Sequence, residues 1–349
     1  MIGQTEQPTT VHADTGATIA LPAAPLLQTW GRRALTIPLY TLLNILVVGT
    51  LPLLLLIAAA FDVCRKRGLV VVRCVAFLAL YLCCETIGIL ASAMLWLGVR
   101  GRERSLQRHY ALQQWWAGAL LGGAQRIFGM RIEVEGAEVA ARGPMLLFSR
   151  HASLGDSLLP SVFIARRYSI RLRYVLKREL LWDPCLDIVG HRLPNYFVQR
   201  GSGESARGIA AIQALAEDLR TCDGVLIFPE GTRFTPAKRA RLLQRLQTDA
   251  DPTLLERAQA LMHVLPPRLG GPLGLLERNQ NADAVFCAHV GFEGSGSARE
   301  LLSGALVGAV IRVGFWRVPF AQIPAGRAAQ ADWLFEQWRR VDDWIGRHQ

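Results

Sequence analysis

The chain has 349 residues, 51% of them apolar, and a formal net charge of +11. A mean hydropathy of +0.23 is high for a purely soluble protein and points to a membrane portion. The basic balance favours anionic partners, either an acidic lipid surface or nucleic acid. The seven cysteines show no Cys-x-x-Cys and no zinc-like spacing with histidine, so they read as free thiols in a reducing compartment.

Residues 1–33 are polar and aperiodic, as expected of a disordered tail, and they make a poor signal peptide. Arg32 and Arg33 precede an uncharged stretch from Ala34 to Phe61, longer than the ~20 residues that cross a bilayer as a helix. Pro38 and Pro52 are expected to kink it. A basic linker, Arg65-Lys66-Arg67, leads to a second apolar run from Leu69 to Val99 with Glu85 near its middle. Residues 34–99 therefore read as a two-helix membrane hairpin. Glu85 is expected to be neutral, or paired inside that hairpin.

Charge sets the orientation only weakly. If both helices span, the linker basics lie opposite the flanks, which carry more arginines and put the C-terminal part in the cytoplasm. A shallow hairpin that does not cross would remove the conflict.

From Ser105 the pattern changes. Ser105–Met130 reads as an amphipathic helix with Trp115 and Trp116, suited to an interface or a core. Strands are expected at Arg131–Val134, Met145–Phe148, Tyr174–Leu176, Tyr196–Val198, Val225–Phe228, Ala284–His289 and Ala309–Phe315. Helices are expected at Ala206–Leu219, Ala237–Gln247, Pro252–Met262 and Asp332–Gly346, the last with Leu334, Trp338, Val341 and Ile345 on one core-facing stripe. This alternation predicts an α/β domain over 105–349, with a mostly parallel sheet flanked by helices.

Two strand ends carry chemistry. The first is Leu147–Pro160, where His151 and Asp156 follow an apolar run. Chance gives roughly 0.3 such pairs in a chain with 7 His, so the pair alone is weak. Five helical residues would leave the two side chains ~140° apart, so the pair should span a turn and the start of a helix, with Gly155 easing the path. The second is Val225–Phe234, a strand stopped by Pro229 and followed by Glu230, Gly231, Thr232 and Arg233. Arginine is the residue suited to bidentate phosphate contact.

Together, His151-x-x-x-x-Asp156 and Phe228-Pro229-Glu230-Gly231-Thr232-Arg233 resemble the motifs of the glycerolipid (lysophosphatidate) acyltransferase family. Tyr174–Leu180, Tyr196–Gly201 and Val264–Arg268 are similar to its other motifs, and the resemblance runs from Ser105 onward. Two departures are Pro194, where the family often has glycine, and Gly270-Gly271-Pro272 after the last motif.

The resemblance implies transfer of an acyl chain from acyl-CoA or acyl-carrier protein, as co-substrates, to 1-acylglycerol 3-phosphate or another lysophospholipid. It implies no cofactor, no metal and no nucleic acid, and a place in the cytoplasmic membrane with the catalytic domain facing the cytoplasm. His151 would be the general base and Asp156 its orienting carboxylate. Arg233 would bind the acceptor phosphate, with Arg200 and Lys177 as second candidates. Glu230 would position the turn or the acceptor, Thr232 would be structural, and Arg150 and Arg268 would steer anionic headgroups. His263 and His289 read as structural. A non-catalytic membrane scaffold with this fold is the rival reading.

Overall fold

The computed structural model describes residues 26–199, 205–248 and 252–349. Most of the expected tail, and Arg200, lie outside these described residues.

Seven strands form one sheet: β1 (Arg131–Glu135), β2 (Met145–Ser149), β3 (Arg171–Lys177), β4 (Tyr196–Val198), β5 (Asp223–Ile227), β6 (Asp283–Val290) and β7 (Val310–Val318), in the order β1-β7-β6-β2-β5-β3-β4. β4, β3, β5, β2 and β6 are parallel. β7 is antiparallel to β6, and β1 is parallel to β7. All seven expected strands form, with ends moved by a few residues.

β2 lies at the centre and every residue of it is buried. That explains its unbroken apolar run, because a parallel strand covered on both faces has no polar alternation. Leu146 and Phe148 face one core layer with Val225, Ile227 and Phe286. Met145 and Leu147 face the other with Leu172, Leu226 and Val285. Fully burying each such side chain contributes about 1.5–3 kcal/mol.

Helices cover both faces. On one side lies α4 (Arg102–Phe128), with α5 (Leu158–Pro160), which runs on as a π-turn through Ser161–Arg166. α6 (Pro184–Gly190) closes the end of this face near β3 and β4. On the other side are α7 (Ala206–Gln213), α8 (Pro236–Thr248), α9 (Pro252–Gln259), α10 (Gly270–Arg278) and, past the short α11 (Ala298–Leu301), whose Leu301 packs on the α4 side, the long α12 (Arg327–His348). Leu334, Trp338, Val341 and Ile345 of α12 are each fully buried, as the stripe predicts.

The Gly270-Gly271-Pro272 run opens α10. A Cβ on Gly271 would sit 3.0 Å from Ile227 Cδ1 and 3.2 Å from Ile212 Cδ1, so the missing side chain lets α10 approach β5 and α7.

The N-terminal apolar region differs from expectation in three ways. The first helix starts at Leu26, inside the segment read as tail. The stretch read as one helix is two, α1 (Leu26–Gly49) and α2 (Leu51–Arg65), which meet at 69°. Pro52 falls in the first turn of α2, where a missing N–H costs nothing. α3 (Val70–Gly98) is the one described helix long and apolar enough by itself to cross a bilayer.

The third difference is that α3 lies along the domain from end to end. Val70 packs at Gly304, just past α11. Arg73 Nη1 donates to the Ile127 carbonyl at 2.5 Å, Phe77 meets Phe128, and Ala91 and Leu95 pack with Tyr110 and Leu112 of α4. Glu85 is paired, but with the domain rather than inside the hairpin. It accepts from Trp116 Nε1 at 2.8 Å and from the Cys185 amide at 3.1 Å. Beside it, the Tyr81 hydroxyl donates to Asp183 at 2.6 Å. The start of α1 is also tied down, since Arg32 and Arg33 both reach the buried carboxylate of Asp187, which His191 also meets. Both ends of the hairpin, with the basic linker, therefore lie beside the domain. The outer faces of α1, α2 and α3 carry large exposed apolar side chains, including Leu42, Ile45, Leu56, Leu90 and Met94.

Candidate active site

In a parallel sheet the C-terminal strand ends form one edge, where α/β proteins place their ligands. Here that edge gathers the turn after β2, the end of β3, the turn after β5 and the end of β6.

The chain leaves β2 at Ser149, turns through His151–Ser157, and enters α5. As the spacing required, the imidazole sits at the turn and the carboxylate just before the helix. His151 Nδ1 lies 3.1 Å from Asp156 Oδ2. The same oxygen accepts from the amides of Ala152 and Ser153, and Ser153 Oγ donates to Oδ1. Asp156 is fully buried, yet its partners His289, His151 and Ser153 outweigh that burial and hold its carboxyl at about 2. It is an anion with a fixed direction. A carboxylate on Nδ1 makes Nδ1 the protonated nitrogen and leaves Nε2 as the basic one.

His151 Nε2 has no hydrogen-bond partner among the described residues, and the side chain keeps 16% exposure. Its ring lies 4.6 Å from the ring of Phe228. Burial lowers its pKa from 6.5, against the pull of Asp156, and the positive charges of Lys177 and Arg233 push the same way. A neutral imidazole at physiological pH, with an unpartnered basic nitrogen, can accept a proton.

The turn after β5 is locked against the first. Glu230 is buried and bridges two loops: Oε1 accepts the His151 amide at 2.8 Å, and Oε2 accepts the Leu265 amide at 2.9 Å. Burial pushes its carboxyl up to about 8, offset only in part by these amides and Arg150. Glu230 thus positions the turn, one of its two expected roles. The amide of Phe234 donates to the His151 carbonyl at 2.7 Å, which closes the link from the other side. Gly231 has φ +64 and lies beneath the Arg268 side chain, where a Cβ would come within 2.8 Å of Cδ. Glycine takes that conformation without strain and leaves that space.

The expected cations are placed unequally. Lys177 ends β3, close enough to His151 to act on its charge. Arg233 is half-buried, and its guanidinium donates to the Gly296 carbonyl. Arg268 is exposed at the turn, and its amide bonds Pro229 O. Arg150 does not steer ligands, because it is fully buried. It ties the His289 and His263 carbonyls to Glu293. Thr232 Oγ1 accepts from Lys238 Nζ at 3.0 Å.

Lys238 lies near the start of the helix expected at Ala237–Gln247 and was not singled out as a site residue. Its ammonium reaches back from α8 to Thr232 and to the Arg233 carbonyl at 2.8 Å, adding a cation to the turn. The signal for it was its nearness in sequence, five residues past a motif arginine. His289 was read as structural, yet it ends β6 on this same edge, 3.5 Å from Asp156 Oδ1.

Set beside known proteins, residues 131–259 match the family model described as Acyltransferase, a segment running from β1 through α9 with both turns inside it. The matched segment is about a third of the chain and contains His151, Asp156 and Glu230–Arg233. Among solved structures, it is similar to the crystal structure of the 1-acyl-sn-glycerophosphate (LPA) acyltransferase PlsC from Thermotoga maritima. The identity is 15%, the TM-score is 0.49, and the match covers 78% of this chain and 97% of that one. No curated protein matches the chain.

Proposed function

We propose that the protein moves an acyl chain from acyl-CoA or acyl-carrier protein to the free hydroxyl of 1-acylglycerol 3-phosphate, giving phosphatidic acid. The observation that carries this reading is the His151 ring, with Nδ1 on Asp156 and a free Nε2, near Lys177 at the end of β3 and the turn after β5 that bears Arg233 and is met by Lys238 from α8. An alcohol is a poor nucleophile until its proton leaves. Nε2 takes that proton as the oxygen attacks the thioester carbonyl, and Asp156 stabilises the imidazolium. The tetrahedral intermediate then expels the thiolate. The C–O bond has formed, the C–S bond has broken, and His151 returns the proton to sulfur. The cations at the turn hold the acceptor phosphate.

The test is product formation by purified protein from labelled acyl-CoA or acyl-carrier protein with a panel of lysophospholipids. Product with lysophosphatidate supports the reading. Product only with another headgroup keeps the chemistry and changes the acceptor. No product from either donor favours the scaffold reading. Because burial and cations lower the His151 pKa, the imidazole stays basic below pH 6.5. The acid limb of kcat/KM is therefore expected below pH 6.5, and a limb above it would contradict a neutral His151.

We also propose that the hairpin seats in the membrane without crossing it. α3 is ~43 Å long, enough to span, but a helix docked on the domain at both ends cannot carry its linker to the far side. Arg32, Arg33, Arg65, Lys66, Arg67, Arg100, Arg102 and Arg104 then share one side, which makes the positive-inside rule consistent and places the domain in the cytoplasm. Cys64 is the exposed cysteine and abuts the linker. A membrane-impermeant maleimide should label it in inside-out vesicles and not in spheroplasts, with Cys64→Ser as control. Labelling only from the outside would mean that the hairpin crosses.

A further inference from the structure

The floor of the site is a second histidine. His289 is fully buried at the end of β6. Its Nε2 lies 3.2 Å from the Arg150 carbonyl oxygen and 3.5 Å from Asp156 Oδ1. A carbonyl oxygen can only accept, and Asp156 is ionised, so both neighbours are acceptors. Nε2 must therefore carry the hydrogen. Nδ1 has no donor within reach. Burial lowers the ring's pKa, so it is neutral and held in one tautomer. Arg150 fixes the backbone at this point, since its Nη1 donates to the His289 carbonyl.

Asp156 is thereby divided between two histidines. Oδ2 serves His151 and two amides, while Oδ1 meets Ser153 Oγ and faces His289 Nε2–H. We propose that His289 is a positioning residue for acyl transfer: its Nε2–H, anchored on the Arg150 carbonyl, stabilises the Asp156 anion and so sets how strongly Asp156 holds the proton on His151. This rests on His151 being the base. The direction follows from charge. Without the Nε2 dipole the carboxylate is a stronger base and pulls harder on the Nδ1–H, the imidazolium is favoured, and Nε2 becomes protonated at a higher pH.

The charged groups around the pair are known. His151 faces Asp156 from its own turn, Lys177 from β3 and Arg233 from the turn after β5. His289 faces Asp156, Arg150 and Glu293. Glu230 titrates near 8, on the alkaline side, and leaves the acid limb free.

The experiment compares His289→Met with His289→Gln, two side chains of like length of which only glutamine retains a donor. The kcat/KM profile is measured for the full-length protein in detergent. For His289→Met the acid limb should rise by about half a pH unit or more, and kcat should fall about tenfold with KM for both substrates unchanged. His289→Gln should return the limb towards the wild-type position. A limb for His289→Met that coincides with wild type overturns the proposal, as does a glutamine variant displaced as far as methionine. The limb position does not depend on the fraction of protein folded, so partial misfolding cannot imitate the shift. If His289→Met does not fold, histidine-selective 15N spectra of the wild type decide. The Nε2–H tautomer at His289 is required, and Nδ1–H overturns it. His151→Ala run alongside separates the two claims: activity in that variant sinks the base, whereas a dead His151→Ala with an unmoved His289→Met limb sinks only the role of His289.

Discussion

His151→Ala is expected to lower kcat/KM by roughly 10²–10⁴-fold while the protein stays folded. The imidazole is partly exposed, and among the aromatic residues described its ring packs on Phe228 alone, so little core packing depends on it. Asp156 keeps the Ala152 and Ser153 amides and the Ser153 hydroxyl, so its charge remains compensated. The backbone amide of residue 151 still donates to Glu230, because that bond needs no side chain. Calorimetry and acyl transfer on the same preparation check it. A folded variant with more than about a tenth of wild-type turnover would place the base elsewhere.

Glu230→Leu should have the largest effect on stability. The carboxyl group accepts two amides, of His151 and Leu265, 79 and 35 residues away along the chain. Leucine fills the space and leaves both N–H groups buried and unpaired, at about 1–3 kcal/mol each. The loss approaches the whole stability of many domains. At roughly 2–4 °C per kcal/mol the melting temperature should fall by about 5–20 °C. Activity should fall further than stability, since the amide of the catalytic turn no longer has its tether. Glu230→Gln keeps one acceptor oxygen and turns an NH₂ group toward the other amide, so about half the loss is expected. A leucine variant that melts within about 2 °C of wild type would show that the bridge is not structural.

The strands were legible because each is a short apolar run ended by a turn residue, and burial on both faces makes such a run continuous. The His151–Asp156 turn was legible for a related reason: the angular offset of five helical residues rules out a shared helix face. α10 was hidden because Gly270-Gly271-Pro272 has poor helix propensity and is held helical by the packing that Gly271 permits. Arg150 looked like a surface cation. Its burial depends on the carbonyls of residues 263 and 289, more than 110 positions downstream. The partners of Glu85 lie 31 and 100 residues away, so no local pattern names them. His289 carried one usable signal, its place at the end of a parallel strand.

The loop that meets Glu230 has an anchor of its own. Asp342 on α12 accepts the amides of Met262, His263 and Val264, and Trp338 Nε1 donates to the Leu265 carbonyl. The His151 turn is therefore braced, through Glu230 and residue 265, by residue 342. The hairpin ends at Gly98, some 244 residues earlier. At 5–20 residues per second that is a lead of about 10–50 s. During synthesis the apolar helices therefore emerge, and can bury their exposed faces, well before the brace that fixes the His151 turn exists.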